Sequence, residues 1–213
     1  MSNRTLSEII SGHPIVPVLT IDDAWHAVPL AVALQKGGID IIEVTLRTDA
    51  AIRAIRRIRQ ELPDVLVGAG TILHPDDFAR VMEAGAHFAV SPGTTPVLFD
   101  AAAKSRIPFL PGIATPSEAM RAMQAGYDIL KFFPAVAAGG IPMLKSMAGP
   151  LPDLKFCPTG GVSPENLNDF LALDNVICVG GTWIAPTQMV RDADWATIEA
   201  RARHAMELCE RSQ

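Results

Sequence analysis

Eight short runs of β-branched and other apolar residues recur along this chain, and their spacing constrains the fold more than any other feature. They cover residues 15–19, 39–46, 65–69, 87–91, 108–110, 128–132, 155–158 and 176–180, with starts 20 to 27 residues apart. That interval holds one strand, one helix and two short loops. Helical patterns fill gaps at 22–35, 49–61, 75–84, 94–104, 117–125 and 164–171, and a final helix is expected over 192–209. Strict alternation of strand and helix implies a parallel sheet with right-handed crossovers. Eight such units close into an α/β fold of the (β/α)8 TIM-barrel kind. An open doubly wound sheet would need a glycine-rich loop after its first strand, and Leu19-Thr20-Ile21-Asp22 has no glycine. No Gly- or Ser-rich linker interrupts the chain, so residues 1–213 read as one compact barrel domain.

Element ends are marked in the same pattern. Gly37-Gly38, Gly85 and Gly126 stand where helices should stop, each just before an apolar strand. Thr115, Pro116 and Glu118 form the cap, first position and capping-box partner of a helix start, and Ser163-Pro164-Glu165-Asn166 repeats part of that grammar.

Composition narrows the function classes. Hydrophobic residues make up 49% and charged residues 19%, which supports a large core and argues against disorder. A net charge of -5 argues against a nucleic-acid partner. The one basic cluster, Arg53, Arg56, Arg57 and Arg59, alternates with Ile52, Ile55 and Ile58 as the polar face of a helix. No apolar run approaches the roughly 18 residues that span a bilayer. Met1-Ser2-Asn3-Arg4-Thr5 lacks a signal-peptide pattern, so a cytoplasmic protein without a membrane partner is expected. Cys157, Cys178 and Cys209 show no metal or redox spacing, and His13, His26, His74, His87 and His204 form no i, i+4 ligand pair. No metal site is expected.

Barrel strands are buried on both faces, so a charge within one needs a reason. In Ile41-Ile42-Glu43-Val44-Thr45-Leu46-Arg47, alternation puts Glu43, Thr45 and Arg47 on one face and Val44 and Leu46 on the other. The apolar set suits the helix layer, and the polar set then points into the barrel near its C-terminal mouth. A Glu43–Arg47 structural ion pair is the alternative. In Asp128-Ile129-Leu130-Lys131-Phe132-Phe133-Pro134, a lysine sits among large apolar groups. Such surroundings favour a neutral amine, which attacks carbonyls. The alternative is a lysine that reaches out to solvent. An inward glutamate and arginine at the same depth favour the reactive reading.

Thr159-Gly160-Gly161 and Gly180-Gly181-Thr182 follow the seventh and eighth strands. Barrels commonly bind phosphate at these two loops through exposed backbone N–H groups. Thr159, Ser163 and Thr182 offer hydroxyls, and tight turns are the alternative use of the glycines. An imine-forming lysine, a proton-transfer carboxylate, an arginine for carboxylate recognition and a phosphate cradle together suit a phosphorylated keto acid.

Seven segments in this order and spacing resemble the KDPG/KHG aldolase family over nearly the whole chain (KDPG is 2-keto-3-deoxy-6-phosphogluconate). They are Glu43-Val44-Thr45-Leu46-Arg47-Thr48, Gly68-Ala69-Gly70-Thr71, Ser91-Pro92-Gly93, Pro111-Gly112-Ile113-Ala114-Thr115, Lys131-Phe132-Phe133-Pro134-Ala135, Cys157-Pro158-Thr159-Gly160-Gly161-Val162 and Gly180-Gly181-Thr182-Trp183. The resemblance implies a class I aldolase assembled as a homotrimer and needing no cofactor. Lys131 would be the Schiff-base lysine and Glu43 the general acid/base. Arg47 and Thr71 would bind the keto-acid carboxylate, and Pro92 and Phe133 would wall the pyruvyl unit. Gly160, Gly161 and Thr182 would form the phosphate cradle with Gly180 and Gly181. Thr182 is often serine in relatives. Thr159 favours the gluconate substrate, since relatives acting on the galactonate epimer carry valine there. The implied reaction releases pyruvate and glyceraldehyde 3-phosphate. Cleavage of 4-hydroxy-2-oxoglutarate or of 2-dehydro-3-deoxy-6-phosphogalactonate, and a non-catalytic sugar-phosphate-binding barrel, stand as the other readings.

Overall fold

The computed structural model of the protein describes residues 5–210. Residues 1–4, read above for a signal segment, and residues 211–213 lie outside the described residues. Nine strands alternate with helices: β1 (Ile15–Leu19), β2 (Ile41–Thr45), β3 (Leu66–Gly70), β4 (Phe88–Val90), β5 (Phe109–Leu110), β6 (Gly112–Ile113), β7 (Ile129–Phe132), β8 (Lys155–Pro158) and β9 (Val179–Gly181). All ladders are parallel, in the orders β5-β4-β3-β2-β1-β9 and β6-β7-β8. Two links turn these arcs into a ring. β5 and β6 are halves of one strand split at Pro111, which has no N–H to give a ladder. Bridges Phe156↔Val176 and Thr159↔Gly180 join β8 to β9. The result is the expected (β/α)8 barrel.

At the split, side chains replace the missing ladder bonds. The Gly112 N–H donates to Ser91 Oγ at 3.1 Å, Ser91 Oγ lies 2.9 Å from Thr94 Oγ1, and Thr94 Oγ1 donates to the Gly112 carbonyl at 3.1 Å. The strand can therefore leave β4 and join β7 with its backbone satisfied.

The helices are α1 (Leu6–Ile10), α2 (Ala27–Lys36), α3 (Ala51–Glu61), α4 (Pro75–Glu83), α5 (Pro96–Lys104), α6 (Pro116–Gln124), α7 (Gly140–Ala148), α8 (Leu167–Leu171), α9 (Thr187–Arg191) and α10 (Trp195–Glu210). Gly38, Gly85 and Gly126 all take the left-handed conformation that ends a helix. The arginine side of α3 is its outer face, while Ala54, Ile55 and Ile58 pack inward. Arg57 bonds Glu61 and lies 4.2 Å over the Trp25 ring. Among the described residues no helix is long and apolar enough to cross a membrane.

Several expected elements differ in extent. The helix expected at 164–171 begins at Leu167, because the Asn166 side chain binds Ser163 N–H and Gly161 O and competes with a helical first turn. The final helix, expected from 192, begins at Trp195, because Ala193 at φ 53° separates it from the short α9, which the sequence patterns do not mark. The last strand begins at Val179, and Val176 is joined to Phe156 by an isolated bridge. The patterns above do not mark α1 and α7.

Two apolar layers result. Residues such as Val44, Val67 and Leu130 pack against the helices. Inside the ring lie Val16, Ile41, Phe88, Val90, Leu110, Ile129, Cys157 and Cys178, with Ile9 and Ile10 of α1 packed against them. The lumen is therefore a packed core, and any open site sits above it, at the C-terminal ends of the strands.

The capping box at α6 is complete: Thr115 Oγ1 accepts from Glu118 N–H, and Glu118 Oε2 accepts from Thr115 and Ala114 N–H. Thr115→Ala should lower stability by about 1 kcal/mol. Thermal unfolding would show it as a fall in Tm of roughly 2–4 °C.

Candidate active site

Glu43 and Lys131 approach from opposite sides of the ring. Glu43 lies in β2 between Val18 of β1 and Gly68 of β3, and Lys131 lies in β7 between Gly112 of β6 and Cys157 of β8. With β5 and β6 counted as one strand, four steps separate them in either direction. Only long side chains can meet across such a lumen. Lys131 Nζ is 3.0 Å from Glu43 Oε1 and 3.2 Å from Oε2, with side chains 6% and 4% exposed. The Lys131 ammonium also lies 5.6 Å from the centre of the Phe133 ring.

This geometry excludes the two alternative readings. The glutamate partner is Lys131, 88 residues away, so the Glu43–Arg47 pair does not form. Lys131 is buried, so it does not reach into solvent, and its surroundings are not wholly apolar. A carboxylate is in direct contact with the amine and can take its proton.

The remaining candidates stand at the strand ends. Arg47 is exposed, two residues past β2, and has no ion-pair partner among the described residues. Thr71 follows β3 in the left-handed region at φ 64°, an uncommon conformation for a β-branched residue. Half-buried Pro92 follows β4, and half-buried Phe133 follows β7. Thr159 is buried after β8, its Oγ1 3.4 Å from the Cys157 carbonyl. Gly160 and Gly161 have φ of 98° and 82°. Among the described residues nothing accepts a hydrogen bond from the Gly161 N–H. Gly180 and Gly181 end β9, with Thr182 exposed just beyond. They also serve packing: a Cβ on Gly180 would overlap Thr159, and one on Gly181 would overlap the Trp183 ring.

Thr45 shares the inward face of Glu43, as its position suggested, yet its hydroxyl donates to the Leu19 carbonyl at 2.9 Å. Thr48 likewise donates to Ile21 O. These bonds tie the end of β2 to β1 and fix the frame on which Glu43 stands.

The family model for KDPG and KHG aldolases matches residues 6–201. The chain belongs to this family. It is 49% identical over 199 residues to the KHG/KDPG aldolase of Escherichia coli strain K12, covering 93% of each chain. Among solved structures, KDPG aldolase from Legionella pneumophila, with pyruvate captured at low pH as a covalent carbinolamine intermediate, superposes with a TM-score of 0.91. The two are 46% identical over 93% of this chain and 97% of that one. The Zymomonas mobilis ZM4 aldolase with 3-phosphoglycerate gives 0.89 at 41% identity over 96% of each chain.

Two neighbours of the site had no signal in spacing. Cys157 and Cys178, 21 residues apart in sequence, share the lumen core below the ion pair. The adjacent Cys157, burial and the Glu43 charge together push the Cys178 thiol well up. A raised thiol yields less of the reactive thiolate at any given pH. Both thiols are also buried in the packed lumen, so iodoacetamide at pH 8 should leave Cys157 and Cys178 unlabelled in the folded enzyme and turnover intact. Rapid labelling of either by peptide mass mapping would mean that the lumen is open below Lys131.

Proposed function

We propose that this protein is a class I aldolase, a carbon–carbon lyase that reversibly cleaves 2-dehydro-3-deoxy-6-phosphogluconate to pyruvate and D-glyceraldehyde 3-phosphate, as in the Entner–Doudoroff pathway of the cytoplasm. The observation that carries this reading is the buried contact of Lys131 with Glu43 at the barrel mouth. The chain acts as a single barrel domain, residues 1–213, and assembles as a homotrimer. Exposed Leu73, Val97 and Met120 offer apolar surface of the kind an oligomer covers.

In this mechanism Glu43 accepts a proton from Lys131, and Nζ adds to the C2 ketone. Glu43 returns a proton to the carbinolamine oxygen, which leaves as water and gives the iminium ion. Loss of the C4 hydroxyl proton breaks the C3–C4 bond and releases the aldehyde. The electron pair moves onto the iminium nitrogen as an enamine, which is protonated at C3 and hydrolysed to pyruvate. The iminium serves as the electron sink, so the scheme requires no metal. Among the described residues no group of three or more His, Cys, Asp or Glu side chains could hold one. Arg47 and Thr71 bind the substrate carboxylate, Pro92 and Phe133 flank the pyruvyl carbons, and Gly160, Gly161, Gly180, Gly181 and Thr182 hold the phosphate. An open N–H group at Gly161 supports the last assignment. Thr159 favours the gluconate over the galactonate epimer. Cleavage of 4-hydroxy-2-oxoglutarate is a second reading, favoured by the double activity in the name of the Escherichia coli relative.

Pyruvate and borohydride in EDTA-containing buffer should inactivate the enzyme and leave one adduct, on Lys131. Lys131→Arg should give none, since a guanidinium forms no such imine at neutral pH. An adduct on Lys104, Lys145 or Lys155, or a loss of turnover in EDTA restored by zinc, would overturn the mechanism.

The phosphate assignment has its own test. Gly161→Ala strains a backbone at φ 82° and crowds Val136. It should lower kcat/KM for the phosphorylated substrate, relative to 4-hydroxy-2-oxoglutarate, by roughly tenfold to hundredfold. That corresponds to one lost charged hydrogen bond of about 1.5–3 kcal/mol. An unchanged ratio in a folded variant would make the glycines turn residues only.

A further inference from the structure

β3 presents no side chain to the lumen at its last two inward positions. Gly68 and Gly70, two residues apart on one face, occupy them. A Cβ on Gly68 would overlap the Phe88 ring, which fills the lumen from the next strand. A Cβ on Gly70 would overlap Glu43: its three nearest neighbours are Oε1, Cδ and Cγ of that one side chain, the last two at 2.7 Å. The ladder sets Glu43 level with Gly68, and Thr45 level with Gly70. The Glu43 carboxylate therefore leans one inward step along β3 toward the mouth, into the space that Gly70 leaves bare. That lean is what brings it to Lys131 Nζ.

We infer that Gly70 is a positioning residue for the proton-transfer carboxylate. Its missing side chain sets the height at which Glu43 meets Lys131. Gly70 is not among the positive-φ residues, so its strand backbone suits alanine, and the obstacle to a methyl group is Glu43. With a methyl at 70, the carboxylate must retreat toward the packed floor and lose its contact with the amine. The inference rests on the reading of Glu43 as the general acid/base.

A double-mutant cycle tests it, with turnover and Tm measured for Gly70→Ala, Glu43→Ala and the two combined. Gly70→Ala alone should lose turnover on the order of 10²-fold or more, within the range of a displaced acid/base group. In the Glu43→Ala background the same methyl should change neither residual turnover nor Tm, because the side chain it displaces is gone. A general loosening of the barrel would instead appear as a further loss in the double variant, and that result overturns the inference. Wild-type turnover in Gly70→Ala overturns it too. Should Gly70→Ala alone fail to fold, folding of the double variant carries the same conclusion, and its failure contradicts it. Near-normal turnover in Glu43→Ala would remove the acid/base reading itself. A crippled Glu43→Ala beside a normal Gly70→Ala would leave that reading standing and remove only the role of Gly70.

Discussion

Lys131 and Glu43 bring opposite charges into a barrel interior, where taking each from water costs several kcal/mol. Their contact at 3.0 Å offsets part of that cost, and removing either partner would leave the other charge buried alone. A packed apolar pair would hold the strands together equally well, so stability gives no reason to place charges here. The surrounding structure accommodates them instead. Apolar side chains and the buried thiols of Cys157 and Cys178 fill the lumen below, and the Phe133 ring lies beside the ammonium. In such surroundings a proton passed between the two groups crosses one hydrogen bond, with little bulk water to reorganise.

The other lysines show what this placement adds. Of the five in the chain, Lys36, Lys104 and Lys145 are exposed and Lys155 is half-buried at the opposite end of its strand, bonded to the Asp174 carbonyl. None of these four has a carboxylate partner among the described residues. Lys131 combines burial, an adjacent carboxylate and a position at the mouth, where a small keto acid can arrive from solvent.

Much of this was legible in the chain because it is locally encoded. The eight apolar runs, the Thr115 capping box and the glycine stops at 38, 85 and 126 are short-range signals. The inward faces of Glu43 and Lys131 follow from strand alternation. Partnership was not legible: alternation says that Glu43 points inward, but only ring closure shows that Lys131, rather than Arg47 four residues on, lies opposite. The split of the fifth strand was hidden for the same reason, since Ser91 and Thr94 supply its bonds from another unit. The packing of α1 depends on Ile9 and Ile10 joining the lumen cluster built from side chains of several strands, which its five-residue length does not announce.

Glycine was the residue type most incompletely read. At 160 and 161 the sequence suggests backbone freedom and open N–H groups, and both positions have positive φ. At 68, 70, 112 and 180 glycine does something else. A Cβ there would overlap, respectively, Phe88, Glu43, the Ser91–Pro92 backbone and Thr159. Three of these four neighbours, Glu43, Pro92 and Thr159, are candidate site residues. A small barrel has little room inside, and a site that needs long side chains from some strands must leave other strands bare. The interior glycines of β3, β6 and β9 are therefore the complement of the candidate site residues on β2, on the loop after β4 and after β8. Such pairing has no fixed spacing in sequence, because the space cleared by one strand is filled from its neighbour. It becomes readable only when the closed ring sets the strands side by side and shows which neighbour reaches into the space each glycine leaves.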